Sequence, residues 1–550
     1  MKKKNVHFKM SLLSLLLVLA MLMTGLAGCG SKGTPAVDGP TEEPSSEGEK
    51  TEPAEQGGSE IVVAIASGPS TFDCMTTPAT VDQRMGFHVF EQLVIFNAAS
   101  ELTPQLATSW ESNDDYTEWT FKLKEGVTFH DGSAYTAEDV IASTERYQRV
   151  GYRELFADLA SVEAEDDYTV KYTLNNSNPL FTANLGLPGM GMFFIYPAEY
   201  CTEEYDDLTV ENAIGTGPYK YAEYVIDDHI TMEKFEDYVP DTGIEASGQA
   251  GERIAYFDKV TWMIVPNAAQ RLNGLVAGEY QYADDLDVSA WDTLNNTDGI
   301  EPVIVENTWI PVSWMNTMEG PFSDPRVREA LLICLNMDDC LLASVGGHEE
   351  LYNLNPSIFF EDMVWWSEVE GMEKYNANDV ERAKELLAEA GYNGEEITWM
   401  VTQDYPFMYQ ISVIAQQKAA EIGLNVKLDV HDWATCVAAL LNGSREKEWD
   451  MFMAACSYAD IADPTGLEGN LMIDSVAMPY ESQEMTDIML RGRSANQDER
   501  IAAYKDMMVQ WYKDMPCIIY GTISTLSGQS DNIGGASQGI VLQMYNVYYE

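Results

Sequence analysis

Two hydrophobic rhythms divide the chain. Through its first half apolar positions recur every second residue, the period of a strand with one buried face. Later they recur at three and four, the period of a helix. Residues 61–66 (IVVAIA) are an apolar run short enough for a buried strand. Residues 119–129 (WTFKLKEGVTF) alternate around Glu125-Gly126 and predict a hairpin. Residues 162–174 alternate around Asp166-Asp167, and 219–238 around Asp227-Asp228, predicting two more. Between them Thr136 and Asp139 have the spacing of a capping box opening a helix over 137–149.

The second half changes character. Asp324-Pro325 offers an N-cap followed by proline at the first helical position. The apolar positions of 326–345 continue at helical spacing. Residues 379–390 (DVERAKELLAEA) predict an amphipathic helix stopped by Gly391, and 409–422 another stopped by Gly423. A strand at 424–430, a helix at 432–441 and a strand at 449–455 follow. Helices at 481–492 and 497–513 then lead to a strand at 517–523. Helices alternating with strands predict an α/β fold.

The N-terminus follows a different pattern. Lys2, Lys3, Lys4 and Lys9 flank and precede the 14 uncharged residues 10–23 (MSLLSLLLVLAMLM), too few to span a bilayer, which takes roughly 20. Leu26-Ala27-Gly28-Cys29 comes next. This is the layout of a secretory signal peptide. Its ending resembles the lipobox of bacterial lipoproteins, whose cysteine is acylated after cleavage. The resemblance implies a signal peptide over 1–28 and a lipid on Cys29. It also implies a body held at the extracytoplasmic face of the cell membrane. Residues 30–59 contain no aromatic residue, Leu or Ile. They cannot bury enough apolar surface to offset chain entropy, which makes 29–59 an anchor plus a disordered acidic tether.

Composition narrows the choice of function. A formal net charge of −57 excludes nucleic acid as a partner, because phosphate binding needs Lys and Arg. Its plain reading is a solvated acidic surface. After Met23 no apolar run approaches spanning length. Beyond Cys29 the cysteines, at 74, 201, 334, 340, 436, 456 and 517, are odd in number and irregular in spacing, so no disulfide framework is implied. They are expected to be small buried apolar residues.

Several segments then match one pattern in order. They are Phe90-Glu-Gln-Leu-Val, 102–110 (LTPQLATSW), 119–132 (WTFKLKEGVTFHDG) and 136–140 (TAEDV). Later come 215–220 (GTGPYK), 271–279 (RLNGLVAGE), and Asn316-Thr ahead of 322–331 (FSDPRVREAL). The series resembles the family 5 extracytoplasmic solute-binding proteins of peptide and nickel ABC transporters, the oligopeptide/dipeptide-binding type, over nearly all of 60–523. The resemblance implies a two-lobed periplasmic-binding-protein-like fold with an extra subdomain and ligand in the interlobe cleft. Carried over, 60–97, 212–311 and 521–550 form the main subdomain of lobe I, 98–211 its extra subdomain, and 312–520 lobe II. Most of the matched residues read as architecture. Gly215-Thr-Gly-Pro is expected to make a tight turn needing backbone angles only glycine tolerates, and His130 to sit in a turn.

Peptide binders of this family usually hold the ligand's α-amine with an aspartate just after a core strand of the second lobe. Asp460 stands at that position, in 449–464 (WDMFMAACSYADIADP). A carboxylate and an ammonium leaving water together need close pairing, and main-chain pairing with an extended peptide would set register. The alternative is that Asp460 caps a turn near Pro464. Some oligopeptide binders place an arginine six residues earlier to meet the ligand carboxylate; here that residue is Ala454. Tyr458, Trp309, Trp314 and Trp433 are candidates for the cleft wall, since pockets favour aromatic linings; each could equally be core. No cofactor, metal or catalytic residue is expected. The partners implied are a short peptide or similar small solute, ABC permease subunits with cytoplasmic ATPases, and the membrane through the lipid, with the protein a monomer.

Two rival readings stay open within binding: a nickel or metal-chelate receptor, and a sensory lipoprotein using the same fold. An enzyme is the rival outside it. Gly535-Ala-Ser537-Gln-Gly539 matches GxSxG, but that hydrolase motif needs a later histidine. None follows Gly539, and 540–550 read as a strand.

Overall fold

One strand organises the molecule. Ile300–Met315 is 16 residues long, about 50 Å of extended chain, and it changes partners halfway. This is seen in a computed structural model that describes residues 59–189, 191–473, 475–536 and 541–550. The signal segment, Cys29 and the tether lie outside the described residues, as does Ser537 of the GxSxG match.

From Ile300 to Val305 the strand pairs antiparallel with Thr522–Ser530. From Ile310 to Met315 it pairs with Met451–Cys456 on one edge and, over Val312–Trp314, with Cys517–Ile519 on the other. The register slips between Val305 and Trp309, where Asn307 takes φ 53°. The return crossing is at Gly521, φ 136°, between Cys517–Ile519 and Thr522–Ser530. A Cβ there would lie 2.6 Å from the Asn353 carbonyl oxygen, so both the angle and the close approach require glycine. The strand expected over 517–523 is therefore two strands, split where the chain passes from one lobe to the other.

Two large hydrophobic cores lie on either side of this double crossing. The first gathers Ile61, Val63, Phe121, Tyr172, Trp262 and Leu542; the second gathers Trp314, Trp399, Met408, Trp449 and Trp511. On the first side the sheet continues through Tyr282–Leu286, Glu60–Ile65, Lys259–Ile264, His229–Lys234 and Tyr219–Val225. On the second it continues through Met451–Cys456, Glu396–Thr402 and Asn425–His431. Those last three strands are parallel, which demands crossovers between them. The helices Pro406–Glu421 and Trp433–Leu440 supply these. The three C-terminal ends, at Thr402, His431 and Cys456, consequently share one edge of the lobe, and Cys456 pairs with Ile310 beside the crossing.

A separate antiparallel sheet runs Ala107–Ser112, Glu118–Leu123, Thr169–Leu174, Leu159–Asp166. The helix Ala137–Val150 packs on it, opened by the Thr136–Asp139 capping box. The hairpins at 162–174 and 219–238 form, turning at 167–168 and 226–228. The one expected over 119–129 does not. Glu118–Leu123 pairs with its neighbours at 107–112 and 169–174, while Thr128 bridges to Ala134. The helix expected over 326–345 breaks in two at Leu335-Asn336, because the Asn336 side chain accepts from Asp339 N and starts a second helix.

The Gly215-Thr-Gly-Pro turn needs glycine for space rather than for angle. A Cβ on Gly215 would lie 2.0 Å from the Val89 carbonyl oxygen, and one on Gly217 2.6 Å from that of His88. His130 ties this turn down. Its Nε2 lies 2.9 Å from the Gly217 carbonyl oxygen and its Nδ1 accepts from Gly215 N at 3.3 Å. Burial lowers the imidazole pKa to about 4, so the ring is neutral at pH 7. The seven described cysteines are all buried free thiols. Among the described residues no helix is long and apolar enough to cross a membrane.

Candidate functional site

At the edge where the three parallel strands end, the loop after Met451–Cys456 meets the first lobe. In open α/β sheets the loops beyond such ends are where ligands bind. The loop after Met451–Cys456 begins with Ser457, the N-cap of a one-turn helix, Tyr458–Ile461. Ser457 donates from its backbone N and its Oγ to Oδ2 of Asp460, both at 2.8 Å. The capping role is thus real, but it occupies one carboxylate oxygen. Oδ1 has no partner among the described residues. Asp460 is half-buried. Desolvation raises its pKa to about 6, with the Ser457 hydrogen bonds pulling the other way.

Asp463, three residues on, is fully committed. Its Oδ1 accepts from Thr465 N and Oγ1 at 3.0 and 2.7 Å, and its Oδ2 meets Arg500 Nη2 at 2.6 Å. Both partners of that ion pair are buried, with side-chain exposures of 6 % and 2 %. The Arg500 guanidinium lies 5.0 Å from the Trp365 ring centroid, and Trp365 Nε1 donates to the Ala462 carbonyl at 3.0 Å. Of the two aspartates in this loop, one is a structural anchor and the other keeps an acceptor open.

The lobes touch around Asp460. Tyr458 Oη donates to the Asn97 carbonyl oxygen and accepts from Ser100 Oγ at 3.3 Å. Val364 N donates to the Ala99 carbonyl at 2.9 Å, and a Cβ on Gly189 would lie 3.5 Å from that of Ala459. Burial raises the Tyr458 pKa, keeping its hydroxyl protonated. Tyr458 therefore lies at the contact between the lobes.

Trp309 stands beside the strand crossing, half-buried. Its ring stacks on Phe407, with centroids 6.2 Å apart and planes at 25°. Phe407 meets Tyr405 edge-on at 6.3 Å, and Tyr405 meets Trp433 edge-on at 5.5 Å. Trp433 is one ring too deep. It is 4 % exposed and packs on Phe452. Trp314 is 2 % exposed against Trp511. Both indoles are core, which withdraws them from the cleft wall. Phe407 and Tyr405 were missed by the sequence reading. The available signal was their place just after Glu396–Thr402, at a parallel strand's C-terminal end. Ala454 lies opposite Val312 within the sheet and brings no cation. Among the described residues no group of three or more His, Cys, Asp or Glu could hold a metal ion.

A half-buried carboxylate with an open oxygen and a partly exposed aromatic row, both placed where two lobes meet, suit capture of a small solute. Comparison with known proteins agrees. A probable peptide ABC transporter periplasmic-binding protein, y4tO of Sinorhizobium fredii, is 24 % identical over 507 residues, covering 87 % of this chain and 91 % of its own. The glutathione-binding protein GsiB of Pectobacterium atrosepticum is 26 % identical over 492 residues, covering 86 % and 91 %. The periplasmic binding protein DppA of Helicobacter pylori, solved with the peptide STSA, superposes with a TM-score of 0.66 at 26 % identity, covering 89 % of this chain and 98 % of its own. A family model, "Bacterial extracellular solute-binding proteins, family 5 Middle", matches residues 101–471. The chain belongs to the family 5 bacterial extracellular solute-binding proteins.

Proposed function

We propose that this protein captures a short peptide, or a similar solute with a free amine, between its lobes. It then hands that solute to the permease of an ABC importer whose ATPases work in the cytoplasm. It binds and does not catalyse. Lipid on Cys29 would hold it, as a monomer, at the extracytoplasmic face of the membrane. Asp460 carries the reading: its open oxygen is aimed at neither its cap nor an ion pair, and it sits at the lobe contact. A ligand ammonium would complete it. The Trp309–Phe407 row would take an apolar side chain. The relatives named for a peptide and for glutathione, and the neighbour solved with a peptide, support the class of ligand. The direct test is mass spectrometry of what copurifies with residues 59–550, followed by calorimetry with the species found. Recovery of amine-bearing peptides is expected; a chelated metal or a sugar alone would refute the reading.

The raised Asp460 pKa gives the binding a pH dependence with a definite sign. An ammonium binds the carboxylate form, so binding favours loss of the proton. Above the free-state pKa of about 6 the carboxylate is already charged and affinity is flat. Below it each binding event must expel a proton, and the dissociation constant rises towards tenfold per pH unit. The peptide amine loses its own proton near pH 8, closing the window from above. Calorimetry from pH 4.5 to 9 should give a plateau between these limits for a free-amine peptide. A profile flat through pH 5 would count against Asp460 as the partner.

A further inference from the structure

The peptide reading leaves the ligand's carboxylate without a partner, since Ala454 stands where an arginine would serve. The chain carries 89 acidic and 32 basic residues, so a described arginine that meets no carboxylate stands out. Every other described arginine is either in an ion pair or, as with Arg271 and Arg328, held by several main-chain carbonyls. Arg153 is the exception. Its Nη2 reaches the Gly191 carbonyl oxygen at 3.3 Å, a long bond, and its Nε is screened from solvent with no partner. The side chain as a whole is only half-buried. Among the described residues, four of a guanidinium's five donors therefore meet no partner.

Its position is fixed relative to the cleft. Tyr152 N donates to the Met75 carbonyl at 2.8 Å, and Gly191 N to that of Thr77 at 3.0 Å. Gly191, φ 61°, packs so closely on Tyr152 that a Cβ would lie 2.6 Å from Tyr152 Cβ. Gly189, two residues along and so within about 7 Å, is the residue that faces Ala459 beside Asp460. Arg153 meets Gly191, and Ala459, the neighbour of Asp460, faces Gly189 from the other lobe, two positions along the same chain. A peptide adds about 3.3 Å per residue when extended, so a few residues bridge such a gap.

We propose that Arg153 receives the C-terminal carboxylate of the bound peptide through a bidentate pair, the geometry a planar fork offers a carboxylate. This rests on the peptide reading above. It assigns the anionic end to the lobe opposite the one that holds the amine.

The test titrates random di- to tetrapeptides, as free acids and as C-terminal amides, against the wild type, Arg153→Met and Arg153→Lys, following tryptophan fluorescence. Amidation is expected to weaken wild-type binding by about 10- to 100-fold. In Arg153→Met the acid and amide should differ by less than about threefold. Arg153→Lys, which keeps charge without the fork, should fall between. Persistence of the wild-type acid-to-amide ratio in Arg153→Met overturns the proposal and leaves the peptide reading standing. Should Arg153→Met not fold, an unchanged ratio in Arg153→Lys overturns it equally. Failure of the wild type to bind either mixture overturns both.

Discussion

Asp460→Asn is expected to weaken binding of a free-amine peptide by about a hundredfold, while its N-acetylated form loses less than about threefold. The substitution is nearly isosteric. An asparagine Oδ1 can still accept from Ser457 N and Oγ, so the cap that Asp460 now provides at 2.8 Å survives and the loop keeps its shape. What disappears is the charge. Removing one member of a desolvated, hydrogen-bonded charge pair costs about 2–5 kcal/mol, which brackets the factor quoted. The acetylated peptide carries no ammonium and serves as the control. Calorimetry on both peptides with both proteins decides the matter; equal losses would mean that Asp460 shapes the loop and does not meet the ligand.

The second large effect is on stability. Arg500→Met is expected to destabilise the second lobe by about 3–5 kcal/mol. It would leave Asp463, with a side chain 2 % exposed, one oxygen short of its partner. For a unit of this size that corresponds to roughly 10 °C in the melting midpoint. Asp463→Asn combined with Arg500→Met should recover part of the loss, because no buried charge is then left over. An exposed pair provides the contrast. Arg491 and Asp506 are 2.8 Å apart but 56 % and 55 % exposed, and cutting that pair should cost well under about 1 kcal/mol. Thermal unfolding followed by near-UV circular dichroism measures all three. A melting point for Arg500→Met within about 2 °C of wild type would show that Asp463 is solvated in solution.

These predictions draw on parts of the molecule that were legible to different degrees. Local chemistry read well. The Thr136–Asp139 box, the Asp324 cap and the Gly391 stop all occur where the sequence puts them, because a cap is a contact between near neighbours. Pairing partners read poorly. The alternation of 119–129 is that of a strand, but alternation says nothing about which chain lies alongside. The long-range choice between 107–112, 169–174 and 127–129 was invisible. Trp309 and Trp314 show the same limit within one strand. Five residues apart, they point to opposite faces of a regular strand, and only the neighbouring elements decide that one face is half-buried and the other core. Asp460 was reached through family resemblance. That its open oxygen distinguishes it from Asp463 needed coordinates. Phe407 had no signal beyond its place after the Glu396–Thr402 strand, and Arg153 had none.

The Tyr458 hydroxyl joins the lobes through groups that belong to the protein alone. Its acceptor is the Asn97 backbone and its second partner is Ser100, so the bond is available whether or not solute is present. Such a latch would favour the shut form of an idle receptor. Apparent affinity scales with the fraction of molecules already competent to bind, tenfold for tenfold, and it does so for every cargo alike. Selectivity, by contrast, resides in groups that touch the cargo. Strength of binding and choice of solute would then be separable in this molecule, the first adjustable through one phenol without disturbing the second.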